Sequence, residues 1–151
     1  MTPIPRSALL LGLAGLIPFV WGTATELSPS LADQGLRWFG PRFIGPYVGL
    51  AYGTVILSFM SGVLWGFVAS RATGQAAAVG YTLSTLPALW AFFFVGGGPV
   101  SAAIWLAAGF ILLLMLDFLF WERTLAPDWW LRLRIGLTAV VIACLMVTAF
   151  G

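Results

Sequence analysis

The chain has 151 residues, of which 61% are hydrophobic and only 8% are charged. A soluble domain carries about 25% charged residues, so this composition excludes an ordinary soluble fold. Histidine and lysine are both absent, which removes imidazole metal ligands, a histidine-ligated haem and a lysine Schiff base from the candidate chemistry. The net charge of +2 rests on seven scattered arginines, a distribution that indicates membrane topology rather than nucleic-acid binding.

The first predicted span covers about residues 5–22, where Arg6 is followed by an apolar run. This pattern is typical of a short transmembrane helix, and a signal peptide is the alternative. No clean small-x-small cleavage site follows the run, which favours a retained helix. Pro18 lies near the predicted end, where a proline would kink or end the helix.

Residues 23–45 form the longest segment between predicted spans, and we interpret them as an extracytoplasmic surface connector. A short helix is predicted within this connector, with Ser28 as its N-cap and Pro29 in its first turn.

Four further spans are predicted, at about residues 46–71, 75–95, 99–121 and 127–150. The second span is interpreted as the central helix of the bundle. At about 1.5 Å per residue it reaches roughly 39 Å, enough to cross a ~30 Å hydrocarbon core with some tilt. Pro87 interrupts the third span, and Pro127 is expected in the first turn of the fifth.

Small residues at helix-packing spacing lie along the second span. They are the pairs Gly49 and Gly53, and Gly62 and Gly66, each four residues apart. In lipid, close backbone approach at small residues helps to hold helices together. The sequence therefore predicts an all-α, polytopic bundle of five transmembrane helices that forms one domain over residues 1–151.

Five spans place the two ends of the chain on opposite sides of the membrane. Two arginines lie on the side away from the N-terminus, Arg37 and Arg42. The N-terminal side has five, Arg6, Arg71, Arg123, Arg132 and Arg134. This bias predicts a cytoplasmic N-terminus and an external C-terminus. Because no transit-like extension precedes Arg6, we expect a bacterial inner membrane rather than a mitochondrial one.

Asp117 is the one acid deep within an apolar run, GFILLLMLDFLFW. Intramembrane charges are costly and usually pair or line a polar cavity. Arg134 lies at a similar depth, roughly 10 Å along the fifth span. We expect Asp117 to pair with Arg134, with Arg71 or Arg132 as alternatives, and to tie the fourth span to its neighbours. A proton-linked or ligand-linked role is the other interpretation.

Polar and aromatic side chains accompany this acid on the second and third spans. Trp65 shares a helix face with Thr54, Ser58 and Ser61, and Tyr81 shares one with Ser84 and Thr85. Such stripes either form interhelical hydrogen bonds or line a small cavity. Together with the acid and its candidate partners, Trp65 and Tyr81 define the candidate site in the cytoplasmic third. Trp129 and Trp130 are interpreted as anchors in the membrane interface.

A set of motifs resembles the family known as domain of unknown function 3429, whose eukaryotic relatives are similar to transmembrane protein 69. The motifs, in order, are IPRSALLLGLAGLIPF, YGTVILSFMSGVLWG, YTLSTLPALWA, LLLMLD and PDWWLRLRIGLT. The resemblance covers about residues 4–147 and implies a small polytopic membrane protein of bacterial or mitochondrial type. It implies no established activity.

The leading expectation for function is a non-catalytic accessory or scaffolding subunit of a larger membrane complex, surrounded by lipid and bound to a protein partner. Short loops, glycine-rich faces and the lack of a catalytic constellation favour it, and we expect no enzymatic activity, cofactor, metal or nucleic-acid partner. The alternative is a binding or transport protein for a small lipophilic molecule such as a quinone, lipid or tetrapyrrole. A ligand-sized cavity that opens to lipid or to the cytoplasmic side would favour this alternative.

Overall fold

The computed structural model describes residues 2–151, which form seven α-helices and one short 3-10 helix. The elements in chain order are α1 (Arg6–Ala14), α2 (Ile17–Leu27), α3 (Pro29–Phe39), the 3-10 helix (Pro41–Phe43), α4 (Pro46–Arg71), α5 (Gly74–Phe94), α6 (Pro99–Glu122) and α7 (Trp130–Phe150). Five segments are long and apolar enough to cross a membrane: α1 with α2 taken together, α4, α5, α6 and α7. The predicted all-α, five-span architecture is confirmed.

The first span is broken rather than ended by its proline. Because Pro18 has no N–H, it cannot donate to the carbonyl of Ala14, and α1 stops there. A tight turn follows, in which the N–H of Leu16 donates to the carbonyl of Leu13 at 3.0 Å. Helix α2 then starts with Pro18 in its first turn and continues to Leu27, so the predicted end near residue 22 is wrong.

The predicted connector is tied closely to the end of α2. The Ser28 hydroxyl caps α3 as expected, accepting from the N–H of Leu31 at 3.4 Å. The buried Thr25 hydroxyl accepts from the N–H of Gly45 at 2.8 Å, and Gly45 adopts a φ of 74° that favours glycine. These contacts set the position at which α4 begins.

The most buried span is α6, not the second span that the sequence indicated as central. Half of its most hydrophobic window is buried, compared with a third for α4. Helix α6 packs against α4, α5 and α7, and the core between them is built from large aliphatic side chains on three helices, Leu57, Leu64, Leu106, Leu113 and Leu145.

Of the two glycine pairs predicted to pack helices together, only Gly49 and Gly53 lie at a helix contact of this chain. A Cβ at Gly53 would lie 2.6 Å from Leu106 Cδ2, and one at Gly49 would meet Phe19 at 3.8 Å. Added Cβ atoms at Gly62 and Gly66 would meet nothing within 4 Å, so the prediction that they pack helices of this chain together is wrong. The buried line of α4 runs through Leu57, Ser61, Leu64 and Val68, and Gly62 and Gly66 fall beside it.

Helix α5 continues through Pro87 because α4 supplies a replacement hydrogen-bond partner. The buried hydroxyl of Ser61 accepts from the N–H of Ala88 at 2.9 Å. Other members of the predicted polar stripes bond within their own helix instead: Thr54 donates to the carbonyl of Leu50. The stripes therefore provide one interhelical hydrogen bond between α4 and α5 at the proline.

The fifth span starts later than predicted. Helix α7 begins at Trp130, with Trp129 at its N-cap, so Pro127 lies in the preceding turn rather than in the first turn of the helix. The N–H groups of Leu125 and Ala126 both donate to the carbonyl of Phe120, which closes the tight connection between α6 and α7.

Candidate functional site

Asp117 and Arg134 form a buried ion pair between α6 and α7. Arg134 Nε lies 2.8 Å from Asp117 Oδ2, and the exposed fractions of the two side chains are 6% and 0%. Trp130 Nε1 donates to the other carboxylate oxygen, Oδ1, at 2.8 Å. Each oxygen of the acid therefore accepts one hydrogen bond, and the partner is the arginine that the sequence favoured.

The hairpin between α6 and α7 brings these three side chains to the same level. Asp117 lies five residues before the end of α6, and Arg134 lies four residues after the start of α7. The short connection makes the two helices antiparallel, so positions equally far from it lie at similar depths. Trp130 and Arg134 are four residues apart, which places both on the same face of α7.

The remaining predicted site residues lie elsewhere. Arg132 Nη2 donates to the carbonyl of Thr2, and Arg71 is exposed in the last turn of α4. The rings of Trp65 and Tyr81 lie 4.5 Å apart, but Trp65 is 49% exposed. Among the described residues, Asp117 is hydrogen-bonded by Arg134 and Trp130 alone, so the alternative pairing with Arg71 or Arg132 is wrong, and neither Trp65 nor Tyr81 bonds the acid.

Trp130 is the site residue that the sequence interpretation missed. It had been assigned to the membrane interface as an anchor, whereas its indole N–H points to a buried acid and its ring meets Phe67 edge-on at 5.0 Å. Its spacing of four residues from Arg134 is the signal that could have identified it.

A cavity of about 360 Å³ lies beside the ion pair. It is lined by residues of α1, α2, α4, α6 and α7 and opens at the outer surface, and we call it the α1 cavity. Its walls are mainly apolar, with representative side chains from Leu11, Phe19, Phe59, Phe110 and Leu137. Leu11 and Phe59 are 74% and 64% exposed on the outer surface of the bundle, so the cavity reaches the side of the protein that faces lipid.

Two residues that line the cavity each carry a buried polar atom with no hydrogen-bond partner among the described residues 2–151. These atoms are Arg134 Nη2 and Thr138 Oγ1. The two residues are one helical turn apart, which places them on the same face of α7. A threonine within a helix commonly bonds the carbonyl four residues earlier, and Thr138 does not.

The α1 cavity exists because α1 packs loosely. Helix α1 contains no buried residue, and the small residues Ala8 and Gly12 of this helix, with Gly15 just after it, line the cavity. The helix break at Pro18 separates α1 from the better packed α2, whose Phe19 is buried. One wall of the cavity is therefore a short, weakly held helix.

A larger hollow on the outer faces of α6 and α7 has a different character. Its volume is about 610 Å³, and it is lined by apolar side chains such as Met115 and Ile135, both exposed, with Glu122 at its edge. Neither unpartnered buried atom lies in it. It has the features of a lipid-facing groove rather than of a ligand site.

Comparison with known proteins places the chain in a family. The family model described as "Protein of unknown function (DUF3429)" matches residues 4–150. Transmembrane protein 69 from Xenopus tropicalis is 33% identical over 145 residues, which cover 94% of this chain and 53% of that protein. The chain thus spans about half the length of this curated relative, and no solved structure matches it. This protein is a multi-pass membrane protein that belongs to the DUF3429 family.

Proposed function

We propose that this protein binds a small lipophilic molecule in the α1 cavity. The observation that carries the proposal is a cavity of about 360 Å³ with mainly apolar walls, which also include the buried polar residues Arg134 and Thr138. Small-molecule sites typically have volumes of about 300–1,000 Å³ and combine apolar walls with a few polar groups, and this cavity has those features.

The apolar wall of the cavity supports the same proposal. A lipophilic ligand would bury its apolar surface against side chains such as Phe19, Phe110 and Leu137. Binding would therefore stabilise the folded protein.

The loosely held α1 supplies a route into the cavity from the membrane. Its residues include Leu11, exposed to lipid, and Gly12, which faces the cavity. Because α1 has no buried residue, displacing it exposes little core. A lipophilic molecule already dissolved in the bilayer would reach the site without crossing water.

The test is to purify the protein in mild detergent and to determine bound small molecules by native mass spectrometry and by solvent extraction. Ala8 lines the cavity, so Ala8→Phe fills part of it, whereas Ala69→Phe adds the same side chain at an exposed position of α4. We expect a bound lipophile in wild type and Ala69→Phe and at least about tenfold less in Ala8→Phe, a change of about 1.4 kcal/mol. Equal amounts in all three proteins would contradict the proposal.

An accessory role in a larger membrane complex is the second candidate, and an exposed stripe of small residues on α4 favours it. The stripe consists of Ser58, Gly62, Gly66 and Ser70, spaced four residues apart, and all four are exposed. Added side chains at Gly62 and Gly66 would meet nothing in this chain. Small residues at this spacing let a second transmembrane helix approach closely.

This second candidate is tested with bulky substitutions on the stripe. Gly62→Ile would block close approach of a partner helix, and Gly136→Ile on α7 is the control because Gly136 is also exposed with free space around it. We expect a stoichiometric protein partner to copurify with wild type and Gly136→Ile but not with Gly62→Ile. A strictly monomeric wild-type particle would exclude the accessory role.

We further propose that the N-terminus is cytoplasmic. Arginines near the helix ends support this orientation: Arg6, Arg71, Arg123 and Arg132 lie on one side by the alternation of spans, and Arg37 and Arg42 lie on the other. Arg134 no longer contributes to the bias, because it is buried in the ion pair. Location in a bacterial inner membrane stays a prediction from the sequence, and reporter fusions to each end in a bacterial host test both statements.

A further inference from the structure

We infer that an anionic phospholipid binds in a groove between the start of α5 and the end of α6, with its phosphate at Arg123 and an acyl chain against the apolar wall. We call this hollow the α5–α6 groove. Its volume is about 410 Å³, and its lining includes Gln75, Val79, Leu83 and Leu119 together with Arg123. The groove shares no lining residue with the α1 cavity, so the inference is independent of the proposed function.

The α5–α6 groove exists because the two helices are in close contact at one end only. At the far end, Trp90 Nε1 donates to the carbonyl of Trp105 at 2.8 Å, and a Cβ at Gly109 would lie 2.7 Å from Trp90 Cδ1. Nearer the start of α5, the close contact is with α4 instead, since a Cβ at Gly80 would lie 2.8 Å from Val68 Cγ2. Helix α5 therefore stays against α4 at this end and leaves a space beside α6.

The apolar wall of the groove extends from the end of the spanning helices into the membrane. Gln75 lies in the first turn of α5, and Leu83 follows eight residues later, which corresponds to ~12 Å along the helix. Between them, Val79 is exposed on the outer surface of the bundle. Leu119 provides the facing wall from α6. An acyl chain that runs along the helices would contact this wall from the membrane surface inward.

The charge at the mouth of the groove is positive. Arg123 directly follows the last residue of α6, at the end of a membrane span where lipid phosphates lie, and its side chain is exposed. Within residues 2–151 it forms no ion pair, and the neighbouring acid, Glu122, borders the separate hollow on the outer faces of α6 and α7. The amide of Gln75 adds an uncharged donor on the opposite wall.

These features match an anionic phospholipid better than a neutral or zwitterionic one. A guanidinium group binds phosphate oxygens through paired N–H donors, and basic pockets between transmembrane helices bind anionic headgroups. In a phosphatidylcholine headgroup the quaternary ammonium group offsets the charge of the phosphate, whereas phosphatidylglycerol keeps a net negative charge. The exposed Arg123 should therefore distinguish the two lipids even when their acyl chains are identical.

The experiment titrates the purified full chain in mild detergent with dioleoylphosphatidylglycerol or with dioleoylphosphatidylcholine and measures lipid binding by native mass spectrometry. The two lipids share their acyl chains and differ in headgroup charge. We expect the wild-type protein to bind phosphatidylglycerol at least about fivefold tighter, as estimated for one arginine near an anionic headgroup. Equal affinity for the two lipids would overturn the inference.

A charge variant tests the contact with the phosphate. Arg123→Gln removes the charge from the mouth of the groove, and we expect it to abolish the preference for phosphatidylglycerol. Arg6→Gln is the matched control, because Arg6 is exposed at the same end of the bundle but does not line the groove. It should keep the preference of wild type. A preference that survives in Arg123→Gln, or that Arg6→Gln loses to the same extent, would overturn the assignment of the headgroup to Arg123.

A second variant tests the apolar wall. Ala76 is exposed and lines the groove, so Ala76→Phe fills part of it, whereas Ala69→Phe adds the same side chain at an exposed position of α4 outside the groove. We expect Ala76→Phe to weaken binding of phosphatidylglycerol by at least about fivefold and Ala69→Phe to leave it unchanged. Equal binding by the two variants, or a second polypeptide bound to the wild-type protein that excludes the lipid, would overturn the inference.

Discussion

Arg134 binds Asp117 through Nε and buries a second guanidinium nitrogen, Nη2, that has no hydrogen-bond partner among the described residues. The Nε atom lies 2.8 Å from Asp117 Oδ2, while Nη2 is buried and unbonded. The ion pair therefore uses only part of the hydrogen-bonding capacity of the guanidinium group. The structure contains the ion pair that the sequence predicted, and a ligand-linked role of the acid stays a prediction.

The ion pair should be far more sensitive to loss of one partner than to loss of both. Asp117→Leu leaves the Arg134 charge buried and uncompensated, and we predict a loss of about 3–5 kcal/mol in the free energy of unfolding. The double variant Asp117→Leu with Arg134→Leu removes both charges and should recover at least half of that loss. Reversible unfolding in mixed detergent micelles provides the measurement, and additive losses in the double variant would contradict the pairing.

Thr138→Val should stabilise the protein when no ligand is bound. The hydroxyl of Thr138 is buried and has no partner within residues 2–151, so its replacement by a methyl group removes an unsatisfied polar atom at a gain of about 1 kcal/mol. Thr82→Val, which removes a hydroxyl that is already bonded within α5, should not stabilise the protein. Thermal unfolding of delipidated protein tests the prediction, and destabilisation by Thr138→Val would show that the hydroxyl has a partner.

Two glycines on α4 should respond in opposite ways to alanine. The added methyl group in Gly53→Ala would lie 2.6 Å from Leu106 Cδ2, and we predict a cost of about 1–3 kcal/mol from overpacking. Gly62→Ala meets no neighbour and should be neutral or stabilising by up to about 1 kcal/mol through helix propensity. Unfolding free energies of the two variants in the same detergent test the difference. Similar values would contradict the close contact of α4 with α6.

Ser61 and Pro87 should be energetically coupled. Ser61→Ala removes the acceptor of the Ala88 N–H, and we predict a cost of about 1–3 kcal/mol for the unsatisfied donor. In a Pro87→Ala background the proline ring no longer keeps the N–H of Ala88 from the carbonyl of Ser84, and the two can form the usual helical hydrogen bond. Ser61→Ala should therefore lower the free energy of unfolding by less in this background. A double-mutant cycle on unfolding free energies tests this coupling. A coupling energy near zero would show that the two helices do not depend on each other at the proline.

The spans and the ion pair could be predicted because each depends on information local in the sequence. Length and hydropathy define the spans, and the short connection after α6 places Asp117 and Arg134 at matching depths. Trp130 was misassigned because an aromatic residue near a helix start fits two roles equally well, a membrane anchor and a hydrogen-bond donor to a buried acid.

Neither the α1 cavity nor the face of α4 that packs against the other helices could be predicted from local sequence. The α1 cavity depends on how loosely α1 packs against α7, and hydropathy does not record packing density. The choice between Gly53 and Gly62 as a packing position depends on the rotation of α4 about its own axis. In a membrane helix that is apolar all round, no amphipathic pattern fixes that rotation.

The most direct test of ligand binding in the α1 cavity is photolabelling with a lipophilic molecule that carries a diazirine, followed by peptide mapping. We expect the label on α1 and on the part of α7 around Leu137 and Thr138. Excess unlabelled competitor should reduce it, and Ala8→Phe should abolish it. Equal labelling of exposed residues far from the cavity, such as Phe92 and Phe93 on α5, with no effect of competitor, would contradict a specific site.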